Sequence, residues 1–164
     1  MAQIIIAPSI EKPKFISVFL AGGITNCKNW QNEVIKELEF ENISIFNPRQ
    51  TNFDMNDKSA AFKQISWEFE RLEQMEIFSI YFCESESDQP ICMYELGRNI
   101  LRMQNRFPAD WQKRIVIGVE EDYKRKQDVI IQISLCAPTI FVDTLARPAT
   151  HAHYIKNKIR QLRS

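Results

Sequence analysis

The stretch of chain richest in groups able to do chemistry runs from Glu68 to Glu95. It carries the carboxylates Glu68, Glu70, Glu73, Glu76, Glu84, Glu86, Asp88 and Glu95. Solvated surface acids account for most of such a series. Glu95 stands apart, because Tyr94-Glu95-Leu96-Gly97 sets it between apolar neighbours, and Pro90 upstream suits the first turn of a helix. A carboxylate early in a helix feels the positive end of the macrodipole and is favoured in its ionised form. That form suits nucleophilic or electrostatic work. Glu76 immediately precedes the apolar run Ile77 to Phe82.

Three further clusters offer binding groups. Ala21-Gly22-Gly23-Ile24-Thr25-Asn26 follows an apolar run, and its glycines would let backbone N–H groups approach a ligand. It is neither a dinucleotide fingerprint nor a P-loop, and a tight turn is the simpler reading. Asn47-Pro48-Arg49 puts an amide and a guanidinium at the end of a second apolar run. Arg49 suits a carboxylate or phosphate, or equally a brace against Asp54 or Asp57, and bracing is preferred. Gln64, Trp67 and Glu68 fall on one helical face, three and four residues apart. A flat aromatic beside a carboxylate and an amide suits a nucleobase or sugar ring, although periodicity alone favours Trp67 as part of a buried stripe.

The elements that must carry these groups are legible from hydrophobic period. Short apolar runs at Phe15 to Leu20, Ile43 to Phe46, Ile77 to Phe82, Ile115 to Val119 and Thr139 to Val142 read as strands covered on both faces. Between them, Trp30, Val34 and Leu38, then Phe62, Ile65, Phe69 and Leu72, then Leu96, Ile100 and Met103 repeat with helical spacing and predict core-facing stripes. Two more helices are predicted over Lys124 to Leu135 and His151 to Leu162. Strand and helix alternate five times, which predicts an α/β fold of flavodoxin-like kind: a parallel five-stranded sheet with helices on both faces. Ligands of such sheets bind beyond the carboxyl ends of the strands, so the loops there hold the candidate residues.

Composition narrows the partners. The chain has 164 residues, 21 basic and 21 acidic side chains, and 45% hydrophobic content. This is the size and make-up of one globular domain, with no net field to recruit nucleic acid or an acidic membrane. The longest uncharged stretch, Val129 to Val142, is interrupted by Pro138 and is too short to span a bilayer. Ile4-Ile5-Ile6 is soon followed by Pro8 and Glu11, unlike a secretory leader. A cytoplasmic location is expected. Cys27, Cys83, Cys92 and Cys136 are widely spaced and distant from His151 and His153, which suggests reduced thiols rather than a metal site or a disulfide framework. The run of Arg147, Lys156, Lys158, Arg160 and Arg163 reads as a solvated helix face.

Taken together, the motifs resemble the nucleoside 2-deoxyribosyltransferase-like family. The matching pieces are Phe19-Leu20-Ala21-Gly22-Gly23-Ile24 with Trp30, Asn47-Pro48-Arg49, Gln64-Ile65-Ser66-Trp67-Glu68 with Leu72, Pro90-Ile91 leading to Tyr94-Glu95-Leu96-Gly97, and Tyr123-x-Arg125-Lys126-x-Asp128-Val129-x-x-Gln132. They occur in family order from about residue 15 to residue 145.

The resemblance implies a flavodoxin-like domain that cleaves the N-glycosidic bond of a 2′-deoxynucleoside and passes the sugar to another nucleobase, without metal or organic cofactor. It assigns the nucleophile to Glu95, and base-side proton movement to Glu76, where better-characterised members carry aspartate. It also implies a homo-oligomer with shared active sites, Asp128 reaching a neighbour's pocket. Phe19 stands where those members have a tyrosine, and Gln89 where they have an aspartate, with Asp88 adjacent and able to serve instead. On this reading Gly22, Gly23, Trp30, Asn47, Arg49, Gln64, Trp67 and Glu68 join Phe19 around the substrate. The alternatives are an N-glycoside hydrolase acting on nucleosides or nucleoside 5′-monophosphates, and a non-catalytic nucleotide-binding protein.

Overall fold

The computed structural model describes residues 1–164. Its strands are β1 (Gln3–Ile6), β2 (Ser17–Gly22), β3 (Ser44–Asn47), β4 (Ile77–Phe82), β5 (Ile115–Val119) and β6 (Val142–Asp143). Its helices are α1 (Trp30–Leu38), α2 (Ala60–Gln74), α3 (Pro90–Arg106), α4 (Lys126–Cys136) and α5 (Pro148–Arg163), with a 3-10 turn at Trp111–Arg114. All pairings are parallel, in the order β1-β3-β2-β4-β5-β6. The last five strands follow the flavodoxin-like arrangement, in which the chain first steps outward from β2 to β3 and then returns past it to β4. That reversal opens a crevice at the carboxyl ends of β2 and β4.

The sheet has six strands rather than five. The addition, β1, lies along β3, with Ile5 fully buried and Ile6 exposed. Its apolar run is only three isoleucines long before Pro8 removes a backbone donor, so it gives little periodic signal. At the opposite edge, β6 contains only two residues, because Pro138 and the turn after it displace the start of the run beginning at Thr139.

Side-chain alternation divides each central strand between two cores. Phe19, Ala21, Phe78, Ile80 and Phe82 face α2, α3 and α4, packing with Leu72, Leu96, Ile100 and Met103. Val18, Leu20, Ile77 and Tyr81 face α1 and α5, packing with Trp30, Val34, Leu38, Ile155 and Ile159. On this second face the His151 ring is fully buried, with Nε2 2.7 Å from Ser79 Oγ. Gly118 has no side chain because one there would collide with the His151 ring. No helix is long and apolar enough to cross a membrane.

The α2 stripe is inverted relative to its spacing. Phe62 is 76% and Ile65 66% exposed, Phe69 is also exposed, and only Leu72 of the four is buried. The inward face instead carries Gln64, Trp67, Glu68 and Arg71. Arg71 donates to the Ser9 carbonyl at 2.7 Å and to Gln74 Oε1 at 2.9 Å and stacks over the Phe46 and Trp67 rings, while its buried Nε has no partner. Cation–π stacking and the carbonyl help this guanidinium to be buried on a face that the stripe Phe62, Ile65, Phe69 and Leu72 did not predict to be the inward one.

The cysteines also differ from expectation. Cys27 and Cys83 form a disulfide, while Cys92 and Cys136 are free, the first buried and the second exposed. The pairing joins the loop after β2 to the end of β4. These two segments are neighbours only because β2 and β4 are adjacent, which Cys spacing alone does not reveal.

Candidate active site

A cavity of about 210 Å³ opens at the carboxyl ends of β2 and β4. One wall is the turn from β2, with Ala21, Gly22, Gly23, Ile24 and Thr25; another is the start of α3, with Pro90, Ile91, Cys92 and Glu95. Phe19 from β2, Pro48 after β3, Glu68 from α2, and Ser87 and Gln89 before α3 complete it.

The glycine turn is fixed from behind. Gly22 has φ +150°, and a Cβ there would collide with the Tyr81 carbonyl and the Trp30 ring. Trp30 is fully buried, donates from Nε1 to the Gly23 carbonyl at 2.9 Å, and stacks on Tyr81 with centroids 4.7 Å apart. Arg49 donates to the Lys28 and Cys27 carbonyls, each at 2.8 Å, to Gln31 Oε1 at 3.1 Å and to Ile24 O at 3.4 Å. It therefore braces the loop before α1 rather than Asp54 or Asp57. Asn47 is buried and accepts from the Arg49 backbone N–H at 3.0 Å. Trp30, Asn47 and Arg49 thus shape the wall without lining the cavity. Gly22→Ala should cost about 3 kcal/mol, combining backbone strain with overpacking. For a chain of this size that reads as a fall of roughly 10 °C in Tm, and an unchanged melting curve would contradict this account of the turn.

Two carboxyl groups share the cavity. Glu68 stands on the inward face of α2, where Gln64 Nε2 donates to it at 2.5 Å and to the Pro48 carbonyl at 2.7 Å. Glu95 stands on the second turn of α3 and its carboxyl has no hydrogen-bond partner within the chain. Burial, reinforced by Glu68, pushes the Glu95 carboxyl up to about 8. Burial likewise raises Glu68, with the Gln64 hydrogen bond opposing it. Desolvation and like charge therefore overcome the helix dipole that favoured an ionised Glu95. Both shifts favour the protonated carboxyl, and the two groups titrate as a coupled pair. The same surroundings push the Cys92 thiol up to about 12, through burial and then the charges of Glu95 and Glu68, so it is a poor nucleophile.

Other candidates lie elsewhere. Glu76 precedes β4 and accepts from the Ser17 N–H at 3.1 Å, where β2 begins. The six residues of β4 separate it from the cavity by about 20 Å at ~3.3 Å per residue, so its placement does not support a role at the base. Asp88 is exposed and outside the lining; its backbone carbonyl accepts from Tyr123 Oη at 2.7 Å. Trp67 is buried against Phe19 and Phe46 and donates to the Ser9 carbonyl at 2.7 Å, which makes it part of the core. Asp128 is paired with Arg125 at 2.6 Å and does not line this chain's cavity. Thr25 and Ile91, members of the glycine-turn and Pro90-Ile91 motifs, also line the cavity, as does Ser87, a short loop residue with no periodic signal.

A family model described as nucleoside 2-deoxyribosyltransferase like matches residues 16–123. The chain belongs to this family. The matched segment of this deoxyribosyltransferase-like protein runs from the start of β2 through the loop after β5, and contains both cavity carboxylates and the glycine turn. No individual curated protein matches the chain. No three His, Cys, Asp or Glu side chains are grouped so as to hold a metal ion.

Proposed function

We propose that the protein transfers 2-deoxyribose between nucleobases through a covalent sugar ester on Glu95. The observation carrying this reading is the pair of carboxyl groups, Glu68 and Glu95, in one cavity of a chain of this family. N-glycosidic cleavage needs an oxygen nucleophile for an oxocarbenium-like C1′ and a proton for the departing base. A pair carrying one charge and one proton supplies both. The substrate would draw that proton toward Glu68 and the base, leaving Glu95 ionised. Glu95 Oε attacks C1′, the C1′–N electron pair leaves with the base, and Glu68 delivers the proton. An incoming base nitrogen then attacks C1′, the ester C1′–O bond breaks to restore the Glu95 carboxylate, and Glu68 accepts the proton. Two displacements retain configuration.

Incubating the protein with one deoxynucleoside and a different free base should give the exchanged deoxynucleoside. Free deoxyribose with no exchanged product would overturn transfer in favour of hydrolysis. None of the residues lining the cavity is Lys, Arg or His. Arg49 is committed to the loop before α1 and Arg125 to Asp128. A deoxynucleoside should therefore be turned over at least about tenfold faster than its 5′-monophosphate, whose charge no cation would offset. Faster turnover of the monophosphate would overturn that preference.

Phe62, Ile65 and Phe69 are exposed on α2 and Ile91 and Tyr94 on α3, and the Arg98 guanidinium bridges the two helices, 4.8 Å from the Phe69 ring centroid and 6.0 Å from that of Tyr94. Ile91 also lines the cavity. We assign this apolar surface to contact with a second copy of the chain, in keeping with a homo-oligomer whose sites are completed between neighbours.

A further inference from the structure

We propose that the Cys27–Cys83 disulfide is a redox device that sets the shape of the cavity wall. Cys27 lies in the loop between β2 and α1, and Cys83 directly follows the last residue of β4. The bond therefore staples the loop carrying Gly23 to the strand leading toward Gln89, and both of these residues line the cavity. Contact is direct: a side chain on Gly23 would collide with both Cys27 Sγ and the Gln89 side-chain carbonyl.

Gln89 connects the disulfide to the helix bearing Glu95. It is buried, has φ +50°, and immediately precedes Pro90, the first residue of α3. Its Nε2 donates to the Cys83 carbonyl at 2.7 Å. Its Oε1 is 3.9 Å from Cys83 Sγ. A disulfide sulfur carries no hydrogen, so in the oxidised protein this buried acceptor has no donor. Reduction gives Cys83 an S–H that can donate to it. Reduction therefore releases the loop from the strand end and also gives Gln89 a new partner. Both changes occur on the cavity wall.

The chemistry requires a dithiol reductant. Its thiolate attacks Cys27 Sγ, since Cys27 retains 8% exposure and Cys83 none. The S–S bond breaks, Cys83 leaves as a thiolate and takes a proton. The second thiol of the reductant then resolves the mixed disulfide, freeing the Cys27 thiol and leaving the reductant oxidised. The oxidised form holds the wall in place, and the dithiol form relaxes it.

The affected ligand is the nucleoside proposed above, but the device can be read without it. Amide hydrogen exchange over residues 22–29 and 83–89 should be at least about tenfold faster in the full-length protein with dithiothreitol than in its oxidised form. The KM for the deoxynucleoside should rise at least about fivefold on reduction, with kcat within about twofold. Cys27→Ser and Cys83→Ser should each match the reduced protein and ignore dithiothreitol, whereas Cys136→Ser should respond as wild type. Exchange within about twofold in the two redox forms, or a count of four free thiols after oxidation, would overturn the device. A redox-dependent exchange rate in a protein that never cleaves a nucleoside would leave the device standing and reject the proposed reaction. Turnover with redox-independent exchange would do the reverse.

Discussion

Glu95→Ala should lose at least about a thousandfold in rate, because removing a covalent nucleophile removes the intermediate rather than weakening one contact. The loss should appear in single-turnover release of the base, and no sugar-bound protein should be trapped in a mass spectrum. A variant within tenfold of wild type would refute the assignment. Glu95→Gln separates chemistry from architecture, since it keeps the shape of the side chain. It should be equally inactive yet more stable than wild type at alkaline pH. The folded protein holds the Glu95 proton up to about 8, whereas an unfolded glutamate releases it near 4.5. Wild-type stability from this group is full below the lower value and is lost as pH rises through the higher one. The glutamine variant has no such loss, so the gap between the two denaturation midpoints should widen from pH 5 to pH 9.

Glu68→Gln carries the second largest effect. It should lower kcat about a hundredfold, the lower end of what a positioned acid or base contributes, and it should reverse the alkaline limb of the pH profile. In the wild type the carboxyl pair must retain one proton, so kcat/KM should decline as pH rises through about 8. With glutamine at position 68, the proton donor and its like charge are both absent. Glu95 then titrates lower, although burial, the larger cause of its shift, still holds it above an ordinary glutamate. The residual rate should rise with pH to a plateau, with no alkaline decline. A decline near 8 that persists in this variant would show that another group carries the proton.

Much of this architecture could be read from hydrophobic period, and specific residues show where that reading stopped. β4 and β5 begin and end where their apolar runs do, and Trp30, Val34, Leu38, Leu96, Ile100 and Met103 are all buried. On α2 the periodicity identified a helix but not its inward face, because spacing does not say which side of an amphipathic helix meets the sheet. The buried face there is the one with polar groups, hydrogen-bonded through Gln64 and to the Pro48 and Ser9 carbonyls. Glu76 precedes a parallel strand, and such a residue lies at the end of the sheet opposite the crevice, a consequence of the fold class alone. The raised Glu95 carboxyl and the Cys27–Cys83 bond were beyond the sequence for a common reason. Each depends on a neighbour brought from another strand or helix, and only the strand order makes them adjacent.

The sealed imidazole beneath α5 gives the two layers of the protein opposite responses to acid. Burial holds His151 down at about 3, far below the ordinary value of 6.5, so between these limits an unfolded chain takes up a proton that the folded one refuses. Acidification thus loosens the layer built on α1 and α5. Over part of the same range it favours the layer of α2 and α3, where uptake of a proton relieves repulsion between Glu68 and Glu95. A mildly acidic solution should therefore pull the two sides of one sheet apart in local stability, a contrast that heating, which weakens both, would hide.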